Sequence, residues 1–97
     1  MIYILNEKIR ELRIARGYNQ VDFAKKLGVT KQCVSNWEND NVVPSIEMLV
    51  KIADVFCVTT DYILGRSDRA YIDVTGLTTE QVAHISLVVK DLKNGQK

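Results

Sequence analysis

The stretch Gln20-Val21-Asp22-Phe23-Ala24-Lys25-Lys26-Leu27-Gly28-Val29-Thr30-Lys31-Gln32-Cys33-Val34-Ser35-Asn36-Trp37-Glu38-Asn39 decides the fold. Asn19, just ahead of it, is a natural N-cap, and Phe23, Ala24 and Leu27 recur at helical spacing until Gly28 stops the chain. Thr30 caps a second short helix whose inward residues are Val34 and Trp37. Two short helices cross tightly only if three conditions hold. The contact residue on the first must be small, the turn residue must take a positive φ, and the second helix must drop apolar side chains back into the angle. Ala24, Gly28, Val34 and Trp37 fill those roles, with Leu27 and Val29 packing on either side of the turn. The pattern predicts a helix, a tight turn and a second helix that begins at Lys31.

Working outward, Leu5, Ile9 and Leu12 lie on one helical face ahead of this pair, and Gly17 supplies the left-handed stop that ends that helix. After the pair, Asn39-Asp40-Asn41 and Pro44 mark a loop. Ser45 then caps a helix with the stripe Ile46, Leu49, Ile52, Ala53 and Phe56. Thr60 is expected to cap a short helix from Asp61 to Leu64, closed by Gly65. Short helices joined by short connections describe an all-α fold, a compact five-helix domain over residues 1–65. Residues 66–76 lack helical periodicity and read as a linker with a short extended piece at Tyr71 to Val74. Residues 77–97 read as a C-terminal amphipathic helix running to about Lys93. Thr78 and Gln81 form a capping box at its start, and Leu77 and Val82 sit where a hydrophobic staple belongs.

Because Val34 and Trp37 point inward, Lys31, Gln32, Ser35 and Asn36 are left on the outer face of the helix that starts at Lys31. Gln and Asn hydrogen-bond adenine bidentately, Lys reaches guanine O6 and N7, and Ser serves either base. These side chains are the candidate base readers. Asn39 and Asn41, just beyond, are candidate phosphate contacts.

From about Asn6 to Gly65 the chain resembles the lambdoid phage repressor and Cro helix-turn-helix family. The resemblance is carried by Arg10-Glu11-Leu12-Arg13, Asn19-Gln20, Trp37-Glu38-Asn39, Pro44-Ser45 and Asp61-Tyr62-Ile63-Leu64-Gly65, together with the turn motif itself. It implies a compact repressor-like DNA-binding domain that reads the major groove with the same outer residues of helix three. It also implies that Gln20 serves as a phosphate clamp at a helix N-terminus, and that Arg13 and Glu38 form an ion pair tying helix one to the end of helix three. The chain departs from the family at Cys57, where many relatives have Gly, so the turn after helix four is expected to differ.

The composition fits that reading. The 97 residues allow one small domain plus an appendage, and 46% hydrophobic with 26% charged is the balance of an ordinary folded chain. Net charge is only +1, so the chain is not basic as a whole. The charges are uneven, however. Residues 8–31 carry seven Lys or Arg against Glu11 and Asp22, whereas residues 32–65 carry Lys51 against Glu38, Asp40, Glu47, Asp54 and Asp61. A positive side facing phosphate is one consequence, and solvated helix faces are the plainer one.

No apolar run suits a membrane span and no signal peptide is evident, so a cytoplasmic protein with reduced thiols is expected. Cys33 and Cys57 make no metal-ligand spacing, and Cys33 is expected to be a half-buried packing residue. His84 stands alone. With no nucleophile-base constellation and no phosphate loop, no enzyme activity, cofactor or metal is expected.

The C-terminal helix is open to two readings. Its stripe of Val82, Ile85, Val88, Val89 and Leu92 either folds back on its own chain or pairs with a second copy, with Val82, Ile85, Val89 and Leu92 as the dimer contacts. The dimer is favoured, because one such motif covers only a half-site and two-fold pairing supplies the second. The expected function is sequence-specific double-stranded DNA binding by a dimeric transcriptional repressor. The rival is a protein-interaction or antitoxin-like module whose C-terminal helix holds a regulatory partner and for which DNA contact is secondary.

Overall fold

The computed structural model describes residues 3–66 and 70–95, with side chains from residue 5 onward. Its helices are α1 (Tyr3–Ala15), α2 (Gln20–Leu27), α3 (Lys31–Glu38), α4 (Ile46–Phe56), α5 (Thr60–Ile63) and α6 (Thr79–Asn94). The class is all-α; the sole sheet-like feature among the described residues is an isolated antiparallel bridge between Val58 and Ile72. Asp73 N–H donates to the Cys57 carbonyl beside it at 3.0 Å. The extended piece anticipated in the linker is therefore an anchor onto the turn that follows α4. Residues 67–69 of that linker, and residues 1, 2, 96 and 97 at the ends, lie outside the described residues.

α1 to α5 close around one core. Ile9 on α1, Phe23 and Leu27 on α2, Val34 on α3, Ile52 on α4 and Ile63 on α5 are its largest fully buried side chains. Phe23 stacks on Phe56 with ring centroids 5.2 Å apart, which joins α2 to the end of α4. Each of α2 to α5 begins with a side-chain cap. Asn19 Oδ1 accepts from Asp22 N–H at 2.7 Å, and the hydroxyls of Thr30, Ser45 and Thr59 do the same for Cys33, Met48 and Tyr62. Such caps satisfy backbone donors that a short helix has little else to hold, at about 1 kcal/mol each.

Three local expectations change. Ile46 is 80% exposed and does not belong to the α4 stripe, because as the first helical residue it stands beyond the end of the packed layer. Thr59 rather than Thr60 caps α5, since it is the Thr59 oxygen that lies three residues before the Tyr62 N–H, and α5 accordingly ends at Ile63. The turn after α4 is not remodelled to suit Cys57. That residue takes the left-handed conformation itself, with φ 56 and ψ 37, and its N–H caps the Ala53 and Asp54 carbonyls.

α6 starts with a full capping box between Thr78 and Gln81. None of its residues is buried; Val82 is half-buried, while Ile85, Val89 and Leu92 are 38%, 40% and 63% exposed. Its base meets the domain across an open groove of about 430 Å³, where Leu77 and Ile85 face Leu12, Phe56 and Tyr62. The rest of the helix projects. The radius of gyration, 14.8 Å, accordingly exceeds the about 13 Å of a compact chain of this length.

Candidate nucleic-acid interface

The crossing of α2 and α3 is built from the turn between them. Gly28 sits at φ 75, and its N–H together with that of Val29 closes on the Ala24 carbonyl, a left-handed helix stop that only glycine adopts without strain. Ala24 is buried at the crossing, where a larger side chain would push the helices apart. From α4, Lys51 Nζ donates to the Leu27 carbonyl at 3.1 Å, adding a positive charge at the C-terminal end of α2. Nothing in the spacing of Lys51 marks that role in the sequence.

A second set of bonds locks the far end of α3. Glu38 is buried, and its carboxylate takes Arg13 Nε at 2.7 Å on Oε2 and Arg13 Nη2 at 3.1 Å on Oε1. Gln20 Nε2 also donates to Oε1, at 3.1 Å. Arg13 Nη1 reaches the Tyr18 carbonyl at 2.8 Å, and Asn6 Nδ2 reaches the Glu38 carbonyl at 3.3 Å. One carboxylate therefore ties α1, the start of α2 and the end of α3 together. A forked guanidinium on a carboxylate fixes orientation as well as distance. Asn6 is a member of this network that periodicity could not reveal. Gln20 spends one amide N–H inside the domain and keeps its second.

Held at both ends, α3 buries Val34 and Trp37 and turns the opposite face outward. Lys31 and Gln32 are exposed, Ser35 and Asn36 half-buried, Asn39 and Asn41 exposed. The outer side chains pair along the helix: Gln32 Nε2 donates to Asn36 Oδ1 at 3.0 Å, and Asn39 Nδ2 to Ser35 Oγ at 3.2 Å. Asp40, at φ 59, reverses the chain so that Asn41 and Val42 both donate to the Asn36 carbonyl, which keeps Asn41 beside the end of α3. Gln20, Asn39 and Asn41 thus gather at one end of α3, around Glu38. Cys33 is half-buried and Cys57 exposed, and both are free thiols.

The basic stretch does not form one face. Lys8 lies over the Tyr62 ring at 4.8 Å and Arg16 over Phe56 at 5.8 Å, both on the side of α4 and α5, while Arg13 is consumed by Glu38. Lys25, Lys26 and Lys31 remain exposed on α2 and at the start of α3. Among the described residues no cluster of His, Cys, Asp and Glu could hold a metal ion, and no helix is long and apolar enough to cross a membrane.

The profile of the helix-turn-helix family matches residues 9–63. The chain is 30% identical over 87 residues to the HTH-type transcriptional regulator ImmR of Bacillus subtilis, covering 90% of this chain and 68% of that protein. Among other curated relatives the matched share of the relative's own length ranges widely, from 18% of a regulatory protein of Pyrococcus furiosus and 29% of the HTH-type transcriptional activator BcrR of Enterococcus faecalis to 84% of the HTH-type transcriptional regulator YazB of Bacillus subtilis. Among solved structures, the P22 c2 repressor in complex with a synthetic operator is similar with a TM-score of 0.61 at 27% identity, over 65% of this chain and 96% of that one. A transcriptional regulator from Listeria innocua shares the fold over 95% of this chain and 94% of its own, with a TM-score of 0.62 at 20% identity. The chain belongs to the helix-turn-helix family of transcriptional regulators, in the lambdoid-repressor form.

Proposed function

We propose that this DNA-binding transcriptional regulator is a dimeric, sequence-specific repressor. It lays α3 in the major groove, reads bases with Lys31, Gln32, Ser35 and Asn36, and grips phosphates with Gln20, Asn39 and Asn41. The observation that carries this reading is the outer face of α3, polar and open, on a helix immobilised by the Glu38 network at one end and the Gly28 turn at the other. A base reader must be rigid, because each bidentate contact needs its two bonds aligned at once. Gln20 begins α2, and apart from the Asp22 N–H taken by Asn19 Oδ1 the first-turn backbone N–H groups of that helix N-terminus suit a phosphate oxygen. The work is recognition, with no chemical turnover.

In this reading residues 1–65 bind DNA, 66–76 connect, and 77–97 pair with a second copy through Val82, Ile85, Val89 and Leu92. The support is that no residue of α6 is fully buried and that Val89 and Leu92, beyond the base of the helix, stay 40% and 63% exposed. Two copies give half-sites about one helical turn apart. A regulatory protein seated on the same stripe is the second reading, favoured by the same open face.

The deciding experiment is selection from a random duplex library, with wild type beside a Gln32→Ala/Asn36→Ala variant. The expected result is an inverted repeat enriched by wild type and lost or relaxed in the variant, with affinity falling steeply as salt rises. No enrichment from folded wild-type protein refutes sequence reading and moves the weight to the partner on α6.

A further inference from the structure

The outer face of α3 is not a row of independent side chains. Gln32 Nε2 donates to Asn36 Oδ1 at 3.0 Å, one helical turn on. Gln32 is exposed and Asn36 half-buried, so the acceptor is the better-held member of the pair. A primary amide has two N–H donors and one carbonyl oxygen. With one N–H committed to Asn36, the outward edge of Gln32 keeps one donor and one acceptor. Those complement N7 and the N6 amino group of adenine, whereas guanine shows two acceptors, N7 and O6, in the same places. With Asn36 Oδ1 facing it, the Gln32 amide must present its nitrogen to the bond; only turning both amides over, so that Asn36 Nδ2 donates to Gln32 Oε1, would reverse it, and an aspartate at 36, which has oxygens alone, forbids that. A glutamine without that restraint turns about its last, softly hindered torsion and offers donors to guanine as readily.

We propose that Asn36, counted above among the base readers, contributes to reading as a positioning residue that acts on the bases through Gln32 and makes no base contact of its own. Its carbonyl oxygen holds the Gln32 amide in the orientation that complements adenine, and the pair selects A·T over G·C at one base pair of each half-site. This rests on the reading of α3 as the major-groove helix. The neighbouring Ser35–Asn39 pair carries no such selectivity, because a hydroxyl both donates and accepts and so serves either base.

The test uses the full chain, its selected operator, and duplexes in which single A·T pairs are replaced by G·C. Gln32→Ala identifies the relevant base pair by erasing its preference, which one bidentate contact sets at about tenfold. Asn36→Ala is expected to erase the preference at that same base pair, and the double variant to lose nothing further. Asn36→Asp keeps the accepting oxygen and adds a charge, so it is expected to bind every duplex more weakly while retaining the A·T to G·C ratio. Thermal melts of each variant confirm that the domain is folded. Loss of preference at a different base pair in Asn36→Ala, or an Asn36→Asp variant as relaxed as Asn36→Ala, overturns the proposal. If Gln32→Ala changes no base preference at all, reading by Gln32 itself is refuted and the proposal falls with it.

Discussion

Replacing Arg13 with Met tests whether Glu38 organises the domain. The substitution keeps much of the aliphatic stem and removes the guanidinium, with its bonds at 2.7 and 3.1 Å to the Glu38 carboxylate and at 2.8 Å to the Tyr18 carbonyl. Glu38 is then a carboxylate whose side chain is 3% exposed, with only the neutral Gln20 amide at 3.1 Å. Breaking a buried pair by removing one partner costs about 3–5 kcal/mol, and the surviving Gln20 bond places the loss near the low end, about 3 kcal/mol. For a domain of this size that is a fall in Tm of about 12–24 °C. Trp37, the single tryptophan, is 4% exposed and precedes Glu38, so its fluorescence in urea reports the unfolding directly. The companion is Arg13→Met/Glu38→Leu, which removes both charges and is expected to lose less stability than Arg13→Met alone, because no unpaired charge is left in the core. A loss below about 1 kcal/mol for Arg13→Met, the level of an exposed ion pair, would refute the reasoning, as would a double variant less stable than the single.

Three further outcomes are expected. Cys57→Gly removes the strain of a non-glycine residue at φ 56, offset in part by greater freedom of the unfolded chain, and should raise stability by up to about 1 kcal/mol in the same urea assay; a loss would show that the Cys57 side chain contributes more than its backbone costs. Val89→Glu/Leu92→Glu places charges on an exposed stripe, so the fold should survive while sedimentation shows monomer, and an unchanged dimer would exclude α6 as the interface. The Thr75 hydroxyl, and then its backbone N–H at 2.9 Å, hold the Asp73 carboxyl below the ordinary carboxylate value. A depressed folded value means that the contribution of this turn is present above the unfolded pKa and lost as pH falls through the folded one; an NMR titration midpoint for Asp73 at or above the ordinary value would count against it.

Caps, turn glycines and the inward stripe of each helix were legible because they are local. Asn19, Ser45, Gly28 and the Thr78–Gln81 box act within one turn of the residues they serve, so spacing along the chain is spacing in space. The same locality made the outer face of α3 readable, since burying Val34 and Trp37 leaves Lys31, Gln32, Ser35 and Asn36 on the far side. Local signals failed where two residues satisfy one rule or where a helix ends. Thr59 and Thr60 are both good caps, and Ile46 has stripe periodicity yet lies past the end of the core.

Tertiary structure decided what depends on residues far apart in the chain. Periodicity gives no hint that Asn6, Arg13 and Gln20 converge on Glu38 while Arg13 also reaches the Tyr18 carbonyl, that Lys51 reaches the Leu27 carbonyl, or that Lys8 and Arg16 lie over Tyr62 and Phe56. Ile72 pairs with Val58, and the stripe on α6 stays open because only the base of that helix meets α1, α4 and α5. The amino-acid order by itself determined which segments become helices, where they stop and which faces turn inward, because those follow from bonds and side-chain directions within a few residues. The Arg13–Glu38 pair was implied by the family resemblance, but the rest of how the helices are pinned to one another emerged only when the packed core brought distant polar groups within hydrogen-bonding distance.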